Sequence, residues 1–145
     1  MRQGNGVIKI REIDHVVIRV RDLAVMKAFY MDVLGCTIER EELDVGLYQL
    51  RAGSSLIDLV PVTGLLGQKG NDAPEPDRKH NMDHVCLRVE PFDADAIQQF
   101  LAEKGVKAGS VESRFGAEGR GPSIYVEDPE GNTVELKGAP WPVAQ

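Results

Sequence analysis

The chain has 145 residues, of which 42% are hydrophobic and 28% charged, and its formal net charge is −6. This length is enough for one domain that buries its own core, and the composition is typical of a globular protein rather than a disordered one. The acidity and the lack of clustered Lys and Arg argue against a nucleic-acid partner, and no run of apolar residues is long enough to predict a membrane segment.

An eight-residue segment occurs twice in the chain. Residues 13–20 and 82–89 are identical at five of the eight positions and apolar at the other three. Their β-branched, apolar character predicts a strand in each half. The two copies carry His15 and His84 at equivalent positions, so the repeat gives each half one imidazole.

A helix is predicted after each of these strands. Asp22 is placed as an N-cap before the first helix, and Gly35 and Gly105 are placed as the glycines that end the two helices. The apolar residues in each segment recur at helical spacing and share one face. These residues are Met26, Phe29, Tyr30, Val33 and Leu34 in the first helix and Ala94, Ile97, Phe100 and Leu101 in the second.

Three short strands are predicted after each helix, so each half is interpreted as a βαβββ module. The predicted strands are Thr37–Arg40, Val45–Arg51 and Ser54–Pro61, followed in the second half by Lys107–Val111, Pro122–Glu127 and Thr133–Lys137. The fold class is therefore α+β, with modules over about 12–62 and 82–138 and a Gly- and Pro-rich linker over about 63–81, all within a single domain over 1–145. The two modules must bury their sheets against each other or against a second chain.

The Gly-rich stretch from Gly109 to Gly121 is predicted to be a loop between two strands, and residues 128–131 form a predicted type I turn. Cys36 and Cys86 have no metal-binding spacing and are interpreted as reduced thiols, Cys86 as a small buried residue of a strand. No apolar signal segment follows Met1, so the expected location is the cytoplasm.

One acidic residue interrupts an apolar strand in each half. Asp58 lies within the run Leu56–Val60, and Glu135 lies between Val134 and Leu136. A carboxylate in such surroundings is costly to bury without a partner, and a bound cation is one remedy. His15, Asp58, His84 and Glu135 are therefore predicted to hold a divalent metal. Imidazole and carboxylate ligands suit Zn, Ni, Co, Mn or Fe, and leave positions for water or substrate.

Simpler interpretations remain open for several of these residues. A single strand histidine is more often structural than a ligand, and Asp58 alone fits a carboxylate at a strand edge. Arg114 and Arg120 are either exposed loop cations or groups that hold an anionic substrate. Two further candidates, Tyr48 and Tyr125, are either packing residues with a polar tip or substrate contacts.

The chain resembles the vicinal oxygen chelate superfamily, which includes glyoxalase I, fosfomycin-resistance thiol transferases, methylmalonyl-CoA epimerase, extradiol dioxygenases and bleomycin-binding proteins. The segments that carry the resemblance are Asp14–Val16, Phe29–Gly35, Met82–His84 and Tyr125–Leu136. The resemblance implies paired βαβββ modules that form a cupped mixed sheet, one divalent metal ion inside the cup, and a homodimer.

In glyoxalase I-like members the metal is held by one His and one acid from each module, which the resemblance maps onto His15, Asp58, His84 and Glu135. Glyoxalase I has Glu where this chain has Asp58, whose side chain is one methylene shorter. If Asp58 falls short, the remaining two-His, one-carboxylate set is similar to that of the thiol transferases and dioxygenases.

The function that the resemblance favours is a metal-dependent, glyoxalase-like lyase or isomerase acting on a small oxygenated substrate such as a thiol conjugate. Glu135 is the first candidate for the residue that transfers the proton, and Asp58 the second. The alternatives are a fosfomycin-type thiol transferase, an extradiol dioxygenase, and a bleomycin-type binding protein that uses the cup without metal and is not an enzyme.

Overall fold

A computed structural model describes residues 7, 9–69 and 82–142 of the chain. Within these residues, eight strands and two α-helices follow one another as two βαβββ units. The strands are β1 (His15–Val20), β2 (Thr37–Glu42), β3 (Leu47–Ala52), β4 (Ser55–Pro61), β5 (His84–Arg88), β6 (Glu112–Gly116), β7 (Gly119–Glu127) and β8 (Thr133–Lys137). The helices are α1 (Leu23–Ala28), which continues as a π-helical turn over Phe29–Val33, and α2 (Ala94–Glu103).

The strands form two four-stranded mixed sheets with the same topology. Their orders are β1-β4-β3-β2 and β5-β8-β7-β6. In each sheet the first and last strands of the unit pair in parallel, and the other pairings are antiparallel. This arrangement confirms the predicted α+β class and the two tandem βαβββ modules.

The helix ends confirm the caps predicted at Asp22, Gly35 and Gly105, and Asp93 caps α2 as Asp22 caps α1. The carboxylates of Asp22 and Asp93 accept hydrogen bonds from the backbone N–H three residues later, which satisfies a donor that the first turn of a helix leaves free. After the helices, Gly35 and Gly105 have φ values of 81° and 69°, a left-handed conformation that costs glycine little.

Each sheet has one apolar face that packs against helices and one face that carries the polar candidates. Alternate strand residues such as Ile18, Leu59, Val126 and Val134 join one hydrophobic cluster with helix residues from both modules. The residues between them point to the other side of the sheet. We call this side the carboxylate face, because it carries Asp58 in the first module and Glu135 in the second.

Buried polar contacts join the two modules within one chain. The hydroxyl of Tyr30 donates to Asp128 Oδ2 over 2.8 Å. Glu130, 7% exposed, accepts hydrogen bonds from the backbone N–H groups of Arg21 and Asp22 at 2.7 to 2.9 Å. The β7–β8 turn of the second module therefore holds the start of α1 in the first.

The second module differs from its sequence-based prediction in two elements. The strand predicted over Lys107–Val111 is reduced to an isolated bridge at Ala108, and the predicted loop over 109–121 instead contains β6 and the start of β7. Glycines at the hairpin end, Gly116 and Gly119, pair with each other. These glycines suit a tight hairpin as well as a loop, which is why composition alone misled the prediction.

The prediction that Cys86 is buried is also wrong, because Cys86 is exposed. It lies on the carboxylate face of β5, and β5 is one of the two edge strands of its sheet. The division into modules at 12–62 and 82–138 stays a prediction, and residues 70–81 of the predicted linker lie outside the described residues.

Candidate metal-binding face

The strand registers place the predicted ligands in equivalent rows of the two sheets. Asp58 of β4 lies opposite Gln49 of β3, and Glu135 of β8 lies opposite Tyr125 of β7. The histidines stand on the neighbouring parallel strands, two residues before the positions that pair with the two acids. Because side chains two residues apart point to the same side of a strand, each module brings one His and one acid to the carboxylate face.

Both histidines are oriented by the aspartate that precedes them. His15 Nδ1 lies 2.8 Å from Asp14 Oδ1, and His84 Nδ1 lies 2.7 Å from Asp83 Oδ2. A carboxylate only accepts, so Nδ1 is the donor in each pair and Nε2 is the nitrogen left for other partners. Carboxylates that fix metal-binding histidines in this way are common in metal sites.

The hydrogen bond to Asp14, together with the nearby charges of Asp58 and Asp14, raises the pKa of the His15 imidazole above its ordinary value. The negative charge of Asp58 therefore reaches His15, although the two side chains come from different strands. A divalent cation would be attracted by the same field.

In the second module the His and the acid are in direct contact. His84 Nε2 lies 3.1 Å from Glu135 Oε1, while Nδ1 of the same ring is bonded to Asp83. In the neutral ring with Nδ1 as the donor, Nε2 and Glu135 Oε1 both present lone pairs to the space between them, so both atoms can act as ligands of a cation.

Both acids are buried and each keeps one oxygen without a partner. Asp58 is 2% exposed and Glu135 is 5% exposed. Asp58 Oδ1 and Glu135 Oε2 are the buried side-chain oxygens that have no hydrogen-bond partner among the described residues. Burying a carboxylate oxygen without a partner is costly, so both atoms suit coordination of a cation.

The structure does not bring the four predicted ligands into one cluster. Within residues 7, 9–69 and 82–142, no three His, Cys, Asp or Glu side chains stand close enough together to hold a metal ion. The structure instead shows two separate His and carboxylate pairs. The donor types and the two unpartnered oxygens fit a divalent cation, while the assembled coordination sphere stays a prediction.

Two of the predicted substrate-binding residues lie on the carboxylate face of the second sheet. The Tyr125 ring is 5.4 Å from the His84 ring, and the Arg114 guanidinium lies 3.9 Å from the centre of the Tyr125 ring. Arg114 also donates to the carbonyl and hydroxyl of Ser123. The positive guanidinium of Arg114 is therefore held near the His84 and Glu135 pair, where it would attract an anionic group of a ligand.

The other two predicted substrate-binding residues lie elsewhere. Tyr48 pairs with the core residue Leu59 and contacts Lys27 of α1, so it is on the helix side of the first sheet. Arg120 pairs with Phe115, on the side opposite to Glu135, and donates to the carbonyl of Ser113. The structure does not bring either residue to the carboxylate face.

Sequence reasoning missed Gln49, which donates to Asp58 Oδ2 over 3.1 Å. It also missed the contacts of Asp14 and Asp83 with the histidines, because neighbouring residues of a strand are expected to point to opposite faces. A residue next to a strand histidine reaches that ring only through its side-chain torsions. A strand pattern does not specify those torsions.

No helix in the described part of the chain has the length and apolar character that crossing a membrane requires.

The sequence is similar to those of several characterised proteins. Mitochondrial methylmalonyl-CoA epimerase of Mus musculus is 28% identical to this chain, with 95% of this chain and 79% of that protein covered. Glyoxalase domain-containing protein RDO1 of Mycosarcoma maydis is 32% identical, with 89% of this chain and 69% of that protein covered.

Among solved structures, virulence protein STM3117 of Salmonella typhimurium superposes with a TM-score of 0.73 at 23% identity, covering 90% of this chain and 98% of that one. A family profile described as the Glyoxalase/Bleomycin resistance protein/Dioxygenase superfamily matches residues 12–136. Because this profile matches most of the chain, and because the matched residues fold as two tandem βαβββ modules, the chain belongs to the Glyoxalase/Bleomycin resistance protein/Dioxygenase superfamily.

Proposed function

We propose that the protein is a metal-dependent isomerase or lyase that moves a proton at a carbon next to a carbonyl group of a small substrate. One divalent cation would be held by His15, Asp58, His84 and Glu135. The resemblance also implies a homodimer, which remains part of this proposal. The similarity to methylmalonyl-CoA epimerases supports the isomerase type of reaction.

The observation that carries the proposal is the pair of unpartnered oxygens, Asp58 Oδ1 and Glu135 Oε2. They occupy equivalent rows of two modules that diverged elsewhere, for example at Gln49 and Tyr125. One buried carboxylate oxygen without a hydrogen-bond donor is explained by local packing. Two such oxygens at equivalent positions of both modules are expected where both bind the same ligand.

When bound, the cation would polarise two neighbouring oxygens of the substrate and make the adjacent C–H group more acidic. Glu135 is the first candidate to accept that proton, through Oε1, because Oε2 and His84 Nε2 would be occupied by the cation, and Asp58 is the second candidate. Arg114, stacked on Tyr125, would hold an anionic group of the substrate next to Glu135. The proton would return to the substrate from the same carboxylate.

Cation binding is tested first, by titrating metal-free protein with Zn²⁺, Co²⁺, Ni²⁺ and Mn²⁺ in a calorimeter. We expect one cation per chain, and a loss of affinity of more than about 100-fold in Asp58→Asn and Glu135→Gln, because even partners of metal ligands contribute 10- to 100-fold. Glu127→Gln is the matched control, since Glu127 is an exposed carboxylate at the end of β7.

Proton transfer is tested by NMR in D₂O with the metal-loaded protein. Methylmalonyl-CoA and the glutathione hemithioacetal of methylglyoxal are the two probes, and we expect deuterium to replace the proton next to the carbonyl in at least one. Protein that binds no cation in the calorimeter would refute the metal-dependent mechanism and leave a ligand-binding protein as the better assignment. Protein that binds the cation but exchanges neither probe would refute these two substrate classes.

A further inference from the structure

Asp58 is the end of a hydrogen-bonded row that crosses three strands of the first sheet. Arg40 Nε on β2 donates to Gln49 Oε1 on β3 over 2.8 Å, and Gln49 Nε2 donates to Asp58 Oδ2 on β4 over 3.1 Å. Arg40 also donates to Glu42, which keeps its guanidinium on this side of the sheet. The row therefore ends at the carboxylate oxygen adjacent to the unpartnered Oδ1.

An irregularity in β2 places Arg40 in this row. The register between β2 and β3 shifts between Ile38 and Arg40, after which Arg40 lies directly opposite Gln49. In a regular ladder, the residue opposite Gln49 would be Glu39, because Ile38 pairs with Leu50. The shift therefore replaces an acidic neighbour of Gln49 by a basic one, as β-bulges commonly do when they redirect a side chain.

Arg40 determines which way the Gln49 amide points. An arginine only donates, so it selects the carbonyl end of the amide and leaves the NH₂ end for the other neighbour. That neighbour is Asp58, which only accepts when ionised. The Gln49 NH₂ group therefore bonds to Asp58 Oδ2, and Asp58 Oδ1 is left without a donor among the described residues.

The second module has the same geometric row with different chemistry. Glu135 lies opposite Tyr125, and the ring face of Tyr125 contacts Arg114 of the edge strand β6. Glu135 instead contacts the His84 ring and the Cys86 thiol of the neighbouring strand. Among the described residues, only the carboxylate of the first module is therefore held by a side-chain amide that an arginine orients.

We propose that Gln49, oriented by Arg40, is a positioning residue that holds Asp58 with Oδ1 toward the bound cation. This inference rests on the proposed function, because it concerns the same cation. The hydrogen bond from Gln49 compensates for the short side chain of Asp58, since a restrained carboxylate loses less conformational freedom when it binds a ligand.

The test is a double-mutant cycle on Co²⁺ affinity, measured by calorimetry on the full chain. Gln49→Ala is expected to weaken binding about 10- to 100-fold, the usual effect of removing a partner of a metal ligand. In the Asp58→Asn background the same change is expected to have no further effect. Gln99→Ala, which removes an exposed amide from α2, is the control and should bind Co²⁺ as the unchanged protein does.

Arg40→Leu supplies a second variant, because it frees the Gln49 amide to rotate while keeping Gln49 itself. We expect a smaller loss of affinity than in Gln49→Ala, again absent in the Asp58→Asn background. Equal affinity in Gln49→Ala and the unchanged protein would overturn the inference alone. A Gln49→Ala effect that persists undiminished with Asp58→Asn would also overturn it. Unchanged protein that binds no Co²⁺ would remove the proposed function together with the inference.

Discussion

Single carboxylates decide much of the structure of this protein, and they do so through different partners. Asp58 and Glu135 each keep one oxygen free, whereas Glu130 uses both oxygens to accept backbone N–H groups of Arg21 and Asp22. All three are buried. A buried carboxylate that is fully bonded stabilises the fold, while one that is partly bonded is available for a ligand.

Glu130→Gln is expected to lower the free energy of unfolding by about 2 kcal/mol, because hydrogen bonds to a charged acceptor contribute about 1.5 to 3 kcal/mol. The amide retains one acceptor oxygen and places an NH₂ group against backbone donors. Urea unfolding followed by circular dichroism measures the change. Glu127→Gln, in which the exposed partner of Lys107 is altered, should shift the midpoint little. Equal effects of the two changes would contradict the role given to Glu130.

The prediction of the site succeeded where the local sequence was distinctive and failed where strand register decides. An acid inside an apolar run singled out Asp58 and Glu135. Tyr48 and Gln49 are consecutive residues of β3, and only the pairing with β4 determines that Gln49 faces Asp58 while Tyr48 faces the core. A shift of one residue would exchange them, so the sequence of β3 alone does not distinguish the two.

At the scale of elements, the repeated strands and helices were predicted because their apolar residues recur at regular spacing, and because cap residues mark the ends of the helices. The strand β6 was not, since its residues Glu112–Gly116 are mostly polar and none of them is buried. A strand that buries so little lacks the apolar pattern on which strand prediction depends. The turn at 128–131 was predicted from Asp, Pro and Gly, and Gly131 N–H bonds to the Asp128 carbonyl as a type I turn requires.

The C-terminal segment packs closely along β7, and Gly121 is where the two meet. A Cβ atom on Gly121 would lie 2.5 Å from the Ala139 carbonyl oxygen. Gly121→Ala is therefore expected to displace residues 138–141 and to destabilise the fold by about 1 to 3 kcal/mol. Trp141, the single tryptophan, is half exposed and donates from Nε1 to the Ser113 hydroxyl, so loss of that hydrogen bond should change its fluorescence emission.

Gly109→Ala is the control for this change, because a Cβ there would be no nearer than 3.8 Å to its closest neighbour. It should leave both the urea midpoint and the tryptophan emission unchanged. A Gly121→Ala protein with the emission of the unchanged chain would show that the segment is held by other contacts.

At the scale of the whole molecule, the two modules are joined within one chain. Burial and the contact with Asp128 raise the pKa of the Tyr30 hydroxyl, which therefore stays protonated and keeps donating across the junction at physiological pH. With Glu130 bound to the start of α1, these contacts hold the two modules in one arrangement, in which the described residues of one chain form no group of three metal ligands.

Complementation of two variants tests whether one chain or two supply the ligands. His15→Ala and His84→Ala chains are unfolded together, refolded and titrated with Co²⁺. We expect high-affinity binding to recover in a fraction of the refolded protein, because the four ligands do not meet within the described part of one chain and a mixed dimer would contain one complete set. No recovery would show that each chain builds its own cation site.

The difference between Gln49 and Tyr125 at matching positions has an evolutionary consequence. In a symmetric assembly of separate single modules, any mutation would appear in every copy. A mutation that strengthened ion binding in one module would therefore also change the module on the other side of the ion. Fusion into one polypeptide removes that coupling. Selection can then specialise one half for fixing the ion and the other for handling the organic molecule.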